Sequence, residues 1–475
     1  MDEFDEILKK SRRKYLQGSF EYINEINENK TFIASSEIEI VNNTEFNVNK
    51  GISQFQFEVD NLNVSKNLAD HKNSGFGFNY PIILKSNGKD WILPKGSPKI
   101  NLTIGKSLEA KGEIHEIHHS FSEAEKKYLR LVLPISSNGK NPHHHYIEGE
   151  RFAVGSNLKA GGLTDIICDE ILFNLFDYHD ENKNYLFIDC MDSIFSDEFE
   201  KSIEAIIYCL GIITGSLLRN EMYILQSSSN QFETISGFKY KKLPESILDG
   251  PEIVSPLILS QVMNTDFMTG FVTRQVLSNM STNAKKDRRF FRALKIVAES
   301  SKFPLEIRAS AYSVALETMK NIVIEENAGR INPFKNSAYG KKIAIRLKKI
   351  IEEEDDFNFN NKESVLKRLD QINQVTNKDS LKLAFTLNGF KLMKEDENAL
   401  SKRNDFLHGR IPFEDETILI QDKELRFVTY KLHFLVTSLI MKYCKFSGLI
   451  KNNPKFLSVY SSKNKEIDEP LFRGI

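Results

Sequence analysis

The chain has few of the features that mark secreted, membrane-spanning or strongly charged proteins. Its four cysteines form no CxxC pair; they are Cys168, Cys190, Cys209 and Cys444. Such scattered thiols argue against a disulfide framework and are typical of a reducing cytosol. The net charge is -1, so any contact with nucleic acid must come from a local basic patch rather than from the molecule as a whole.

No hydrophobic stretch is long enough to cross a bilayer. The longest apolar run, residues 205–218, is interrupted by Gly211 and Gly215. A transmembrane helix needs about 20 predominantly apolar residues. The first residues, Met-Asp-Glu-Phe-Asp-Glu, are acidic where a secretory signal needs a basic start. The sequence therefore predicts a cytoplasmic protein that has no membrane partner.

Two common motifs of nucleotide-binding and hydrolytic enzymes are also missing. The sequence has no G-x-x-x-x-G-K-[ST] loop and no G-x-S-x-G elbow. The glycine pair 161–162 matches no phosphate-binding loop and indicates a turn. We therefore expect no ATP-driven chemistry and no cofactor.

Two patterns of apolar residues divide the chain. Residues 31–240 contain short β-rich runs between turn signals, which is typical of a β-sandwich or a comparable antiparallel sheet. After Pro256 the apolar spacing becomes helical. The sequence therefore predicts the α+β class, with a β-rich, sandwich-like domain over 1–240, a helical connector over 241–300 and an all-α bundle over 301–475.

The bundle prediction depends on apolar residues at helical spacing. One stripe in residues 305–327 consists of Tyr312, Leu316, Met319 and Val323. A second, in residues 424–445, consists of Leu425, Val428, Leu432, Leu435 and Leu439. Further bundle helices are expected near 341–353, 362–375, 381–393 and 395–408, and one helix near 197–218 is expected to interrupt the β-rich half.

The most informative stretch runs from Arg403 through Asn404 to His408, and Gly409 follows it. Arginine binds anions through a planar fork of donors, and histidine exchanges protons near neutral pH. The pair therefore suits chemistry at a phosphodiester. The histidine falls in the last turn of its predicted helix, where the negative end of the helix dipole stabilises an imidazolium.

The spacing of these residues limits how one helix can use them. Asn404 and His408 share a face of a straight helix, whereas Arg403 lies about 140° around the axis from His408. A straight helix would not direct both side chains at one phosphate. Either the helix ends irregularly at Gly409, or a second copy of the element from a partner completes the site.

The Arg-Asn-x-x-x-His-Gly string within a C-terminal helical bundle resembles the HEPN superfamily of ribonucleases. The chain length and the β-rich first half are similar to ApeA-type HEPN proteins of bacterial anti-phage defence. The resemblance implies a HEPN-like bundle and a metal-independent endoribonuclease that acts as a homodimer, with two such elements facing each other, and assembly into a higher oligomer is an alternative. It also implies cleavage of host RNA, with tRNA as the favoured substrate, and abortive infection as the result.

The resemblance further implies roles for single residues. Arg403 would hold the scissile phosphate, Asn404 would position it or the histidine, and His408 would act as general acid and base while the RNA 2′-OH attacks. Arg410 stands where HEPN toxins of toxin–nucleotidyltransferase pairs carry a tyrosine, which favours the ApeA-like subtype. Glu317, in the first bundle helix, is a candidate to orient Arg403 or His408; an exposed side chain without a role is the alternative.

The N-terminal domain is expected to hold the nuclease inactive or to sense a phage-derived trigger protein. Two alternatives from other functional classes stay open. In the first, the bundle is a non-catalytic HEPN-type dimerisation module of an adaptor protein. In the second, the chain is the toxin of a toxin–antitoxin pair.

Two further groups of residues are candidates for binding. Six of the ten histidines lie within residues 115–145, and a zinc site through His115, His143 and His145 is an alternative to our prediction of no metal. Two basic clusters are candidates for RNA contact, with ordinary solvated helix faces as the alternative. Their residues are Arg288, Arg292 and Lys295 in the first cluster and Lys342, Arg346 and Lys349 in the second.

Overall fold

The computed structural model divides the chain into two compact units, residues 1–286 and 287–475. The predicted connector, 241–300, spans this division. The structure describes residues 19, 23, 30–35, 45–50, 55–59, 81–86, 89–94, 99–104, 108–135, 143–154, 159–180, 183–247, 250–264, 270–331, 333–334, 336–353, 361–372, 377–410, 417–460 and 465–475.

The first unit contains a large antiparallel sheet. Its strands are β1 (Lys30–Ser35), β2 (Glu45–Lys50), β3 (Phe55–Val59), β4 (Ile82–Ser86), β5 (Lys89–Leu93), β6 (Lys99–Ile104), β7 (Leu108–Ile114), β8 (Glu116–His119), β9 (Tyr128–Ile135), β10 (Glu150–Val154), β11 (Lys159–Cys168), β12 (Ile171–Asp180), β13 (Lys183–Cys190), β14 (Glu221–Ser227) and β15 (Ile235–Lys242). Hydrogen bonds connect them in the order β10-β11-β12-β13-β9-β14-β15-β8-β5-β4-β1-β2-β3-β7-β6. A sandwich-like packing of this sheet stays a prediction.

The glycine pair 161–162 does not form the turn that its composition indicates. Both residues lie within β11, where Gly161 pairs with Phe152 and Gly162 pairs with Arg151 of β10. Glycine disfavours strands only weakly, so cross-strand hydrogen bonds decide its conformation here. The turn prediction at this position is therefore wrong.

Among the residues that the structure describes, the first unit also contains helices beside the sheet. They are α1 (Ser196–Thr214), α2 (Pro256–Met263) and α3 (Arg274–Lys286). Helix α1 contacts β9 and α3, and α3 contacts β11. Helix α1 ends before the predicted residue 218 because Gly215 adopts a left-handed conformation with φ of 66°.

The second unit is mostly helical. Its helices are α4 (Arg288–Ser300), α5 (Leu305–Glu326), α6 (Ala328–Ile331), α7 (Ser337–Glu353), α8 (Lys362–Asp370), α9 (Asn377–Leu387), α10 (Lys394–Leu407), α11 (Ile418–Tyr443) and α12 (Asn453–Tyr460). A small antiparallel pair, β16 (Leu449–Lys451) and β17 (Phe472–Gly474), lies near the C-terminus. Among the described residues, no helix is both long enough and apolar enough to cross a membrane.

Helix α5 is the centre of this second unit. It contacts α4, α9, α10 and α11. The predicted apolar stripe of α5 is confirmed, because all four of its residues are buried; they are Tyr312, Leu316, Met319 and Val323. The α+β class is confirmed as well. Similarity of the helical unit to a HEPN bundle stays a prediction.

Candidate active site

Helix α10 carries the Arg-Asn-x-x-x-His element and has clear signals at both ends. At its start, the backbone N–H of Met393 donates to the carboxylate of Asp396 at 2.8 Å. At its end, Gly409 adopts φ of 70°, and the N–H of Arg410 donates to the carbonyl of Asp405 at 2.8 Å. His408 is therefore the residue that caps the helix, immediately before the left-handed glycine.

Arg403 lies on the side of α10 that faces the core of the helical unit. Its side chain is 7% exposed, and Ala399 and Phe406 on the same side are buried. The guanidinium Nη1 donates to Glu317 Oε2 on α5 at 2.7 Å. The structure thus places the candidate Glu317 directly against Arg403, while a role for this carboxylate in catalysis stays a prediction.

Lys320 joins this pair and is a residue that the sequence analysis missed. Its side chain is 4% exposed, and its ammonium group donates to the other oxygen of Glu317, Oε1. Two buried cations, Arg403 and Lys320, therefore share one carboxylate that is 32% exposed. The cluster carries one net positive charge. A Glu-x-x-Lys spacing on a predicted helix is the sequence signal that could have indicated this contact.

Asn404 and His408 face away from that cluster. Both side chains are exposed, and the backbone N–H of His408 donates to the carbonyl of Asn404 at 3.1 Å, as the last turn of a helix requires. Arg403 and His408 are separated by about 7.5 Å along the helix axis and lie on different sides of it. Helix α10 thus places Asn404 and His408 together on one side. On another side, Arg403 meets Glu317 and Lys320 of α5.

Glu317 should stabilise the fold as the counter-ion of two buried cations. We expect Glu317→Ala to lower the free energy of unfolding by about 2 kcal/mol, because Arg403 and Lys320 would lose a charged hydrogen-bond partner. The matched control is Glu397→Ala, which removes a pair with Lys382 whose side chains are about half exposed. Urea denaturation followed by circular dichroism measures the free energy of unfolding of both variants. Equal losses would contradict the role of Glu317 as the counter-ion of Arg403 and Lys320.

The candidate residues of the first basic cluster lie on α4. Arg288 and Arg292 are exposed, and Lys295 is half-buried. The neighbouring Arg289 is paired with Glu325 at 2.5 Å. Contact of this cluster with RNA stays a prediction.

The candidate zinc ligands do not gather around a common point. His143 Nδ1 lies 3.1 Å from Asp177 Oδ1 inside the first unit, and His115 Nε2 lies 3.7 Å from Glu113 Oε2. His145 follows in the short 3₁₀ helix His143–His145. Within the described part of the chain, no group of three or more His, Cys, Asp or Glu side chains is placed to hold a metal ion.

Residues 115–119 read His-Glu-Ile-His-His and so match the letters of the H-E-x-x-H zinc motif. In zinc hydrolases this motif lies on a helix, where residues four apart are neighbours. Here the segment is a bend followed by β8, so His115 and His119 are about 13 Å apart at strand spacing. His119 Nδ1 instead contacts the carbonyl of Asp90 at 2.7 Å, and its ring stacks on Trp91.

Two cysteines that follow this region in the sequence have buried thiols. Burial raises the pKa of the Cys168 thiol to about 11 and that of the Cys190 thiol to about 12. Both thiols are therefore protonated near neutral pH.

A second set of buried charges, which the sequence analysis also missed, anchors the C-terminal segment. Lys431 of α11 lies 2.9 Å from Asp396 Oδ1 and 2.5 Å from Glu469 Oε2. Arg473 donates to both oxygens of Asp396 at 2.8 Å, and Asn452 donates to Glu469 at 2.8 Å. Asp396 therefore links the start of α10, which carries the candidate site, to the C-terminal strand β17.

Comparison of the chain with protein-family models, with curated proteins and with solved structures found no match in any of the three.

Proposed function

We propose that this protein is a HEPN-type endoribonuclease that cleaves RNA without a metal ion. The observation that carries the proposal is the Arg403-Asn404-x-x-x-His408 element at the capped end of α10, with Asn404 and His408 exposed on one side. Exposure leaves the imidazole accessible to a substrate, which a proton-transfer group requires.

Each residue would have a separate task in the reaction. His408 would take the proton of the RNA 2′-OH as this oxygen attacks the adjacent phosphorus, and the resulting imidazolium would give a proton to the 5′-oxygen as its bond to phosphorus breaks. The products would be a 2′,3′-cyclic phosphate and a 5′-hydroxyl. Asn404, one turn before His408, would donate a hydrogen bond to the phosphate or hold the imidazole in place.

Arg403 would stabilise the negative charge that develops on the phosphate. Its contact with Glu317 uses Nη1, and a guanidinium has further N–H donors at Nε and Nη2. Because Lys320 also binds Glu317, the cluster keeps a net positive charge that attracts a phosphate. Arg403 and His408 of one α10 lie on different sides of the helix, so we propose that the site combines elements of two copies in a homodimer.

The biological role that fits this chemistry is abortive infection in anti-phage defence. The substrate would be host RNA in the cytoplasm, with tRNA as the favoured class. The β-rich N-terminal unit would regulate the nuclease and respond to a phage-derived trigger protein. This division of tasks is supported by the different architecture of the two units.

The proposal is tested directly by the chemistry of the products. We expect the purified full-length protein to cleave RNA in the presence of EDTA and to leave 2′,3′-cyclic phosphate ends. A ligase that requires the cyclic phosphate captures these ends, and sequencing then identifies the cleavage sites. Activity that is abolished by EDTA and restored by Mg²⁺ or Zn²⁺, or 3′-hydroxyl products, would refute the proposed mechanism.

A non-catalytic adaptor is the second candidate, and one observation favours it. Arg403 is buried and paired with Glu317, which is the geometry of a structural cation as well as of a phosphate clamp. An adaptor would still dimerise but would leave RNA intact. A toxin whose inhibitor is encoded by a neighbouring gene would instead cleave RNA and lose this activity on addition of that inhibitor.

A further inference from the structure

Helix α7 packs on α8 with one side and leaves the other side open to solvent. The packed side contains Gly340 and Ala344, which are buried, and Lys348, whose Nζ lies 2.6 Å from Asp370 Oδ1 of α8. Among the described residues, α8 is the helix with which α7 makes its main contact. The two helices therefore form a pair whose outer surface is available to a partner.

The solvent side of α7 combines three cations with one aromatic ring. Lys342, Arg346, Lys349 and Tyr339 are all exposed. At 3.6 residues per turn, they fall within an arc of about 80°. Tyr339 is 58% exposed, and its ring is held edge-on against Phe334 at a centroid distance of 5.9 Å. We call these four residues the α7 face.

One acidic side chain lies on the same face, and it does not neutralise the charge. Glu353 Oε1 lies 3.4 Å from Lys349 Nζ, and both side chains are more than 60% exposed. Exposed ion pairs of this kind contribute little to stability, so another anion can replace Glu353 beside Lys349. The α7 face therefore remains positive on a molecule whose net charge is -1.

A row of cations beside an exposed aromatic ring is suited to one class of ligand. The cations bind successive phosphates, and the ring stacks on an unpaired base. The deep, narrow major groove of an A-form duplex and its stacked bases would leave the tyrosine ring without a partner. An acidic protein would use the cations but would gain nothing specific from the flat ring.

We propose that the α7 face is a docking surface for single-stranded RNA, in which Tyr339 stacks on a base while Lys342, Arg346 and Lys349 bind neighbouring phosphates. This inference rests on the proposed ribonuclease function and specifies it, because it selects unpaired segments over duplexes as substrate. Its residues belong to α7, whereas Arg403 and His408, which would carry out the cleavage, lie in α10 and at its end.

The experiment measures binding without cleavage, so that the two proposals can fail independently. The probe is a fluorescein-labelled 2′-O-methyl oligoribonucleotide of about 16 nucleotides, which lacks the attacking hydroxyl. Fluorescence anisotropy with the full-length protein gives the affinity at several KCl concentrations. We expect Tyr339→Ala to weaken binding between about 5-fold and 100-fold.

Charge variants test the phosphate contacts, with a control on the same helix. We expect Arg346→Gln to reduce the slope of log affinity against log salt by about 0.7, which is the value for one phosphate on a single strand. The matched control is Lys341→Gln, because Lys341 is exposed but lies about 140° around α7 from Arg346. This control should leave both affinity and slope unchanged.

Several outcomes would overturn the docking surface. Equal effects of Arg346→Gln and Lys341→Gln would show a response to total charge, and unchanged binding by Tyr339→Ala would show a surface for any polyanion. Equal competition by an unlabelled duplex RNA would refute the preference for single strands. If the protein binds the probe through the α7 face but leaves unmodified RNA intact, the docking surface stands and the proposed ribonuclease function fails.

Discussion

Replacing His408 with alanine should lower the rate of RNA cleavage by about 100-fold to 10,000-fold, which is the usual contribution of a general acid or base. Histidine is the residue type of the Arg-Asn-x-x-x-His element that most often acts as a general acid or base in enzymes. The loss should appear in kcat rather than in affinity, because Arg403 and the α7 face would still bind the RNA. A single-turnover assay with a labelled RNA measures it.

The control for this substitution is Arg410→Ala, two residues further along. Both side chains are exposed beyond the end of α10, so neither substitution should disturb the packing of the helical unit. We expect Arg410→Ala to retain most of the activity and both variants to unfold at the wild-type temperature. Cells that express the His408→Ala form should also lack the new RNA ends seen with the wild type; identical ends in both would support the adaptor alternative.

Much of the local structure around this site could be predicted from the sequence. Helix α10 was expected over 395–408 and is found over Lys394–Leu407, because acidic residues begin it and Gly409 ends it. The 140° separation between Arg403 and His408 also follows from helical geometry alone. Patterns that depend on neighbours in the sequence are reliable when no distant contact opposes them.

The contacts between distant segments could not be predicted in the same way. Glu317 and Arg403 are 86 residues apart, and Lys431 and Glu469 are 38 apart. Charged side chains are normally exposed, so a sequence gives no sign that a particular lysine is buried. The glycine pair 161–162 illustrates the same limit, since its pairing with β10 overrides its local preference for a turn.

Residues 115–119 show a different limit, in which a short motif agrees in letters but not in structure. The H-E-x-x-H spacing brings two histidines together only on a helix. In this chain the same letters lie at the junction of β7 and β8, and the rings point to unrelated partners. The Arg-Asn-x-x-x-His element differs, because it does lie at the end of a helix in a helical unit.

The buried charges at the C-terminus should have the largest effect on stability. We expect Lys431→Met to lower the free energy of unfolding by about 3–5 kcal/mol, because it leaves Asp396 and Glu469 buried with one cation fewer. Both carboxylates are at most 3% exposed, and Lys431 is fully buried. Urea denaturation of the full-length protein, followed at the transition of the helical unit, measures the change.

Two further variants separate the loss of charge balance from the loss of a side chain. Lys465→Met removes a partly exposed pair with Glu424 and should cost less than about 1 kcal/mol. The double variant Lys431→Met with Glu469→Gln removes one cation and one anion together, so it should recover most of the loss. If the double variant is as unstable as the sum of Lys431→Met and Glu469→Gln measured singly, the two charges are not coupled, which would contradict the argument from charge balance. Because Asp396 also begins α10, a loosened network should further reduce RNA cleavage even though its charged members are buried.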